Sequence, residues 1–209
     1  MNKTFLPAAV LAATLAMPMA AAAESTVTAG GAVNFGFDDE LGHTSSTVEA
    51  FVEFATQGFH AGLWVGTLYD DPTDDFEYEL SLGYGGEIGA VSYDVSAIGY
   101  FLSDGGYQST GIGLELGTEI APGTDGTFYI ETDVDTGDTY AEASLSTDIT
   151  DTLYVWGMVG TSDANNYGEV GLGYTITDGV GVEFVYEDAT DGDGAFTLSL
   201  AFEVGLFGG

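Results

Sequence analysis

Apolar and polar residues alternate along most of this chain, and a period of two is the pattern of a β-strand with one apolar face. In residues 76–84, one face carries only Phe, Tyr and Leu, while the positions between them carry Glu, Ser and Gly. Residues 47–56 and 196–204 show the same alternation. Helical periodicity is almost absent after residue 23, so the pattern predicts an all-β chain.

The alternation predicts about twelve strands, each close to the roughly 9 to 11 residues that a tilted strand needs to cross a bilayer. The predicted spans are 26–37, 47–56, 59–69, 76–84, 90–101, 107–118, 127–134, 139–148, 152–161, 167–176, 180–187 and 195–205. The count falls to ten if the weakly patterned pair 127–134 and 139–148 is not strand.

The predicted connections alternate between two kinds. Every second one is mostly acidic and rich in turn residues: Asp38–Ser46, Asp70–Asp75, Leu102–Gly106, Asp135–Asp138, Ser162–Asn166 and Asp188–Gly194. Most of the others are tight, as at Gln57-Gly58, although Glu119–Gly126 is longer and interrupts the alternation. Long loops at one rim and short turns at the other are typical of outer-membrane barrels. We therefore expect a closed antiparallel up-and-down transmembrane β-barrel, formed by residues 24–209 as one domain, with its acidic loops outside the cell.

A soluble, secreted β-protein with an acidic surface would also alternate, so it stays an alternative. Two features favour the barrel. Aromatic residues such as Phe59, Tyr84 and Tyr107 lie near strand ends, where the interfacial girdles of membrane barrels occur. Gly-rich strands such as 111–117 and 168–173 leave one face nearly bare, which allows sheet curvature and close packing inside a lumen.

The first 23 residues have the layout of a secretory signal peptide. Lys3 precedes an apolar stretch that runs from Phe5 to about Met19, and three alanines follow at positions 21–23. The stretch is short for the alternative, a transmembrane anchor, and no positive flank follows it. We expect cleavage just before Glu24 and location in the outer membrane of a Gram-negative bacterium.

The composition excludes several classes of protein. The 209 residues contain 34 Asp and Glu, one Lys or Arg and no Cys. The single base is Lys3, so a chain cleaved before Glu24 has none. Nucleic-acid binding needs Lys or Arg to neutralise phosphates, and disulfides or Cys-ligated metals need Cys. A disordered acidic tail would lack the 13% aromatic residues found here.

The acidic residues of the strands lie opposite the apolar face, so we expect them to line the lumen, because a carboxylate facing lipid is costly. They are Glu49, Glu53, Glu77, Glu79, Asp94, Glu115, Glu131, Asp133, Glu142, Glu169, Glu183 and Glu203. With no base to pair with them, the lumen has to be water-filled, the acids partly protonated, or cations bound.

Rings of Asp and Glu select cations, so the sequence predicts a small porin that favours cations. The partners expected are outer-membrane lipid and small cations or other small solutes. A filled, non-conducting barrel remains the alternative, since twelve strands enclose a narrow lumen. The sequence indicates neither a particular solute nor an oligomeric state.

Two predicted loops concentrate Asp, and hard cations such as Ca²⁺ take oxygen ligands from clustered carboxylates. The candidate ligands are Asp70, Asp71, Asp74, Asp75, Asp188, Asp191 and Asp193. Neither loop has EF-hand spacing. Asp is also a common turn residue, and we leave both interpretations open. No other cofactor is expected.

We expect no enzymatic activity. The only His residues are His43, in a predicted loop near Ser45 and Ser46, and His60, early in a strand and on the same face as Trp64. Neighbours in sequence do not make a catalytic triad, and no catalytic residue is assigned.

One stretch resembles a known family. Residues 58–66 read GFHAGLWVG, 83–89 read GYGGEIG and 92–95 read SYDV. These segments resemble the TorF-like family, proteobacterial proteins regarded as porins, over roughly residues 58–101. The early strand of that family usually carries an Arg-Gly motif, whereas residues 32–39 here contain no Arg. The resemblance implies an outer-membrane barrel, and it carries over no catalytic residues.

Overall fold

A computed structural model describes residues 25–69, 71–162, 165–190, 192 and 194–207. The predicted signal peptide, residues 1–23, lies outside these ranges. Within them, no helix has the length and apolar character needed to cross a membrane.

The described residues form twelve strands that close into one antiparallel barrel. The strands are β1 (Thr26–Phe37), β2 (His43–Thr56), β3 (Phe59–Thr67), β4 (Phe76–Ile88), β5 (Val91–Leu102), β6 (Gly106–Ala121), β7 (Thr124–Asp133), β8 (Thr139–Thr150), β9 (Leu153–Ser162), β10 (Asn166–Thr177), β11 (Val180–Ala189) and β12 (Ala195–Phe207). Each strand pairs with its neighbours in sequence, and β1 also pairs with β12, so no strand edge is left open. The predicted fold class and the count of twelve, including the weakly patterned pair β7 and β8, are confirmed.

The two rims of the barrel differ in their connections. Every even-numbered strand except β12 is joined to the next strand by two residues only. In the first such turn, Gln57 and Gly58 both have positive φ, 51° and 86°, as a type I′ hairpin turn requires. We call this end of the barrel the turn rim and the other end the loop rim. Strand β1 begins at the turn rim, and β12 ends there.

Four strand ends differ from their predicted positions by three or four residues. The long connection Glu119–Gly126 is a two-residue turn, because β6 continues to Ala121 and β7 already begins at Thr124. β2 begins at His43 rather than at 47, and β4 continues to Ile88 rather than ending at 84. Most of the added residues are polar or Gly and do not alternate clearly, but the neighbouring strands pair with them all the same.

The outward face of the barrel is apolar and exposed. Leu82 is 67% exposed and Val159 is 65% exposed, and Phe59, Leu63 and Leu80 share this face. An apolar surface that surrounds the whole barrel would be unstable in water, whereas lipid is a suitable solvent for it. The fold therefore contradicts the alternative of a soluble β-protein.

Several large side chains on the inward face lie flat against the barrel wall over a glycine of a neighbouring strand. Tyr154 pairs directly with Gly173, and Trp156 pairs with Gly171. A Cβ on Gly171 would lie only 2.3 Å from Trp156 Nε1, so the indole occupies the place that a side chain would fill. Trp156 packs with Met158 and Val185 into a buried apolar cluster on the wall formed by β9 to β11.

Replacing Gly171 by Ala should destabilise the barrel by about 1–3 kcal/mol, because the new methyl group would force the indole of Trp156 off the wall. Gly205→Ala is the matched control, since a Cβ there meets no atom within 4 Å. Urea unfolding of the detergent-folded protein, followed by Trp fluorescence, measures both variants. Equal stability of the two would contradict the packing described here.

Candidate functional site

The strand register places all twelve predicted lumen acids on the inward face. Glu49 pairs with Gly66, Glu79 with Trp64, and Glu183 with Ser199, and the remaining acids follow the same alternation around the barrel. Asp133, however, belongs to the loop rim, because its carboxylate accepts the backbone N–H groups of Asp135 at 2.8 Å and Thr136 at 3.0 Å. That these acids form an ion path stays a prediction.

One inward acid that is not exposed at the turn rim was missed by the sequence analysis. Glu187 lies four residues after Glu183 on β11 and pairs directly with Glu169 of β10. The alternation of β11 is the signal that could have found it.

Tyrosine hydroxyls provide the hydrogen bonds that bases would otherwise donate. Tyr100 donates to both carboxylate oxygens of Glu131, at 2.9 and 3.0 Å, and Tyr129 donates to the same group. Tyr167 donates to Glu142 at 2.7 Å, and Tyr154 donates to Glu183. Hydrogen bonds to ionised acceptors are the stronger kind. A phenol is neutral, however, so it does not cancel the charge of an ionised carboxylate as a Lys or Arg would.

Two of these bonds, from Tyr167 and from Tyr154, share one geometry, in which donor and acid lie two strands apart with a glycine on the strand between them. Tyr167 of β10 pairs with Gly160 of β9, and Gly160 pairs with Glu142 of β8. Tyr154, Gly173 and Glu183 form the same row on β9, β10 and β11. We call this arrangement a glycine bridge. It works because a ring can cross the middle strand only where that strand has no side chain.

His60, the only base on the inward face of the described strands, also crosses a glycine, although its acceptor lies two residues from the position that pairs with that glycine. Its ring lies over Gly83 of β4 and its Nε2 is 2.6 Å from Oδ2 of Asp94 on β5. Nδ1 faces Glu53 at 3.9 Å and has no hydrogen-bond partner. His60 is thus held between two carboxylates.

Four tyrosines, Tyr100, Tyr129, Tyr140 and Tyr167, form a continuous belt in the half of the lumen nearer the loop rim. Ring centroids are 6.0 Å apart between Tyr129 and Tyr140, and again 6.0 Å apart between Tyr140 and Tyr167. The second pair is stacked, with 16° between the ring planes. Glu131 connects Tyr100 to Tyr129 through its hydrogen bonds. We call these four rings the tyrosine belt.

Other inward acids receive little or no help from the protein. Glu49 is 9% exposed and accepts a long hydrogen bond, 3.3 Å, from Asn34 Nδ2, with the indole of Trp64 as a further donor. Glu169 is 8% exposed, and its Oε2 is buried without any hydrogen-bond partner. Its cross-strand partners are Met158 and Glu187. Met158 has no hydrogen-bond donor, and an ionised Glu187 can only accept hydrogen bonds.

The acids of the connection between β3 and β4 bind backbone groups. Asp74 is 6% exposed, and its Oδ1 accepts the N–H groups of Gly105 at 2.9 Å and Asp104 at 2.6 Å. Asp71 Oδ1 accepts the N–H groups of Thr73 and Asp74. Turn chemistry therefore explains these two acids.

The calcium prediction is only partly covered by the structure. Asp70, Asp191 and Asp193 lie outside the described residues, while Asp75 and Asp188 lie beside the loop rim. Where the structure describes the chain, no group of three or more His, Asp or Glu is arranged to hold a metal ion.

His43 lies at the loop rim, at the start of β2. Its Nε2 is 3.0 Å from Ser46 Oγ, and its ring contacts Phe37 edge-on at 5.8 Å. In the described part of the chain, no carboxylate forms an ion pair with His43, so the third member of a triad is not in place.

No family model and no curated protein sequence matches this chain. Three solved structures share its fold: the KdgM porin (TM-score 0.68, 7% identity, 83% of this chain and 98% of that chain), the KdgM porin in complex with disordered oligogalacturonate (0.67, 7%, 83% and 98%) and the NanC porin (0.60, 10%, 83% and 100%). Identities this low show a common barrel fold and nothing finer. The resemblance to the TorF-like family stays a prediction.

Replacing Tyr167 by Phe should destabilise the barrel by about 1–3 kcal/mol, because Glu142 then loses the hydroxyl that donates to it at 2.7 Å inside the lumen. Tyr107→Phe is the control: Tyr107 also donates to a carboxylate, that of Asp135 at 2.5 Å, but it is exposed and water can replace it. Urea unfolding in detergent should show a clear loss of unfolding free energy for Tyr167→Phe and a smaller loss for Tyr107→Phe. The reverse order would contradict the role of the glycine bridge.

The backbone donors of Gly105 and Asp104 hold the pKa of the Asp74 carboxyl below its ordinary value of 3.8. A lowered pKa means that the ionised form stabilises this loop contact above pH 3.8, and that the contribution is lost as the pH falls through the lowered pKa. Hydrogen exchange at the Asp104 and Gly105 amides should accelerate, relative to their intrinsic rates, at that acidic end. Asp74→Asn should weaken the protection of these two amides from exchange already at neutral pH, whereas Asp75→Asn should leave it unchanged. Identical exchange in both variants would contradict this assignment.

Proposed function

We propose that this chain is an outer-membrane channel of a Gram-negative bacterium that lets small solutes through and favours cations. One observation carries the proposal. Eleven of the twelve predicted acids point their carboxylates into the barrel from its wall, Glu187 joins them, and the described strands hold no Lys or Arg to offset them.

The membrane location rests on the outward apolar face and the closed sheet. A closed barrel satisfies every backbone group without water, and its apolar outer face suits hydrocarbon. The fold shared with the KdgM and NanC porins supports a channel-forming barrel. Export through a signal peptide at residues 1–23 is part of the same proposal.

Preference for cations follows from the way the acids are stabilised. An Arg beside a carboxylate would cancel its charge, whereas a tyrosine hydroxyl stabilises the charge and leaves it in place. The lumen therefore keeps a negative potential along its wall. Carboxylate-lined pores concentrate cations and repel anions.

A second candidate is a barrel that does not conduct. The observation that favours it is the buried cluster of Trp156, Met158 and Val185, which occupies part of the lumen cross-section. In that case the acids would bind cations without passing them.

Recordings in planar bilayers under a KCl gradient test the proposal. We expect the reversal potential to have the sign of the K⁺ equilibrium potential. The double variant Glu79→Gln/Glu131→Gln should lower the ratio of K⁺ to Cl⁻ permeability roughly twofold. Glu87→Gln, which removes one exposed acid at the turn rim, is the control and should leave the ratio close to that of the native barrel.

Anion preference would contradict the proposal. Folded protein without conductance would favour the second candidate, and heat-modifiable migration on a gel verifies that the barrel is folded.

A further inference from the structure

Two groups of carboxylates without matching bases flank the tyrosine belt. The first surrounds Glu79 of β4, whose charge interacts with Glu49, Glu77 and Glu131. Glu79 pairs across strands with Trp64 on one side and Tyr100 on the other, so its carboxylate lies between two aromatic residues. No hydrogen-bond donor to Glu79 is present among the described side chains.

The second group lies at the other end of the belt, on β8, β10 and β11. Glu169 interacts electrostatically with Glu187 and Glu142. It is more than nine-tenths buried, and its Oε2 has no hydrogen-bond partner in the protein. Aromatic and thioether groups surround it, because Tyr167 precedes it by two residues on the same face and Met158 lies opposite.

A buried carboxylate oxygen without a partner is costly when it is ionised, and a positive charge from outside the chain would offset that cost. A single metal ion does not fit, because no three acids of the described residues converge on one point. The positive charge has to be spread along the belt, in which the rings of Tyr129, Tyr140 and Tyr167 follow one another in two steps of 6.0 Å.

We infer that the lumen binds a linear aliphatic polyamine along the tyrosine belt, with one ammonium group near Glu79 and Glu131 and another near Glu142, Glu169 and Glu187. The methylene chain between the ammonium groups lies on the rings of the belt, and the ammonium groups gain cation–π contacts with Trp64 and Tyr167. This inference deepens the proposed function, on which it rests, by naming a class of solute.

The chemistry of the belt discriminates against other cations. A hydrated divalent metal ion needs converging oxygens and gains nothing from rings. A quaternary ammonium ion such as choline has one charge, so it can neutralise only one of the two groups of carboxylates. A polyamine meets both groups at once, and the second contact is then intramolecular.

Calorimetry on the detergent-folded barrel tests the inference with spermidine, choline and Mg²⁺ at equal ionic strength. Spermidine should bind at least about tenfold more tightly than Mg²⁺ or choline, because it joins two contacts through one chain. Equal affinity for spermidine and Mg²⁺ would show a diffuse counter-ion effect and overturn the inference.

Two variants locate the site. Glu169→Gln removes the buried charge without changing its shape, and Tyr140→Leu removes the ring in the middle of the belt. Each should weaken spermidine binding by about five- to tenfold. Glu87→Gln removes an equal charge at the turn rim and should leave the affinity unchanged. Equal weakening in all three would overturn the inference, and heat-modifiable migration again verifies folding.

Binding and conduction are separate readouts, so the two proposals can fail separately. A barrel that binds spermidine but passes no current contradicts the proposed channel and leaves the binding site standing. A barrel that conducts K⁺ but gives no spermidine heat above a buffer blank contradicts the binding site and leaves the channel standing.

Discussion

The interior of this barrel depends on one constraint: its carboxylates have to be stabilised without Lys or Arg. Phenol hydroxyls meet it, but a phenol on one strand reaches an acid two strands away only by crossing the strand between. That strand must carry a glycine at the crossing, as Gly160 does between Tyr167 and Glu142. The acids, the tyrosines and the glycines of the wall therefore form one interdependent set rather than three features of composition.

The alternation of residues was enough to predict the class of fold and the number of strands, because the outward face of a membrane barrel has to be apolar all the way round. Strand ends were harder. The residues from His43 to Ser46 are polar, and those from Gly85 to Ile88 are mostly Gly or charged, so neither segment alternates clearly. They are strand because β1 and β5 pair with them, and pairing partners are not visible in a single sequence.

Inward placement of the acids could also be read from the alternation, but their stabilisation could not. Tyr100 and Glu131 are 31 residues apart and on strands that are not neighbours. Only the register and the curvature of the closed sheet bring them together. Asp133 shows the opposite error, since it continues the alternation of β7 although its carboxylate closes the following loop. A strand pattern does not mark the residue at which a side chain turns to the backbone.

The turn rim divides the barrel into hairpins, and this has a consequence for assembly. Five two-residue turns join β2 to β3, β4 to β5, β6 to β7, β8 to β9 and β10 to β11. Each of these ladders forms between residues close in sequence, so little chain entropy is lost. The ladder between β1 and β12 joins Val27 to Phe207 and has no turn to hold its register. We expect this seam to close last, so the chain remains an open curved sheet until its two ends meet.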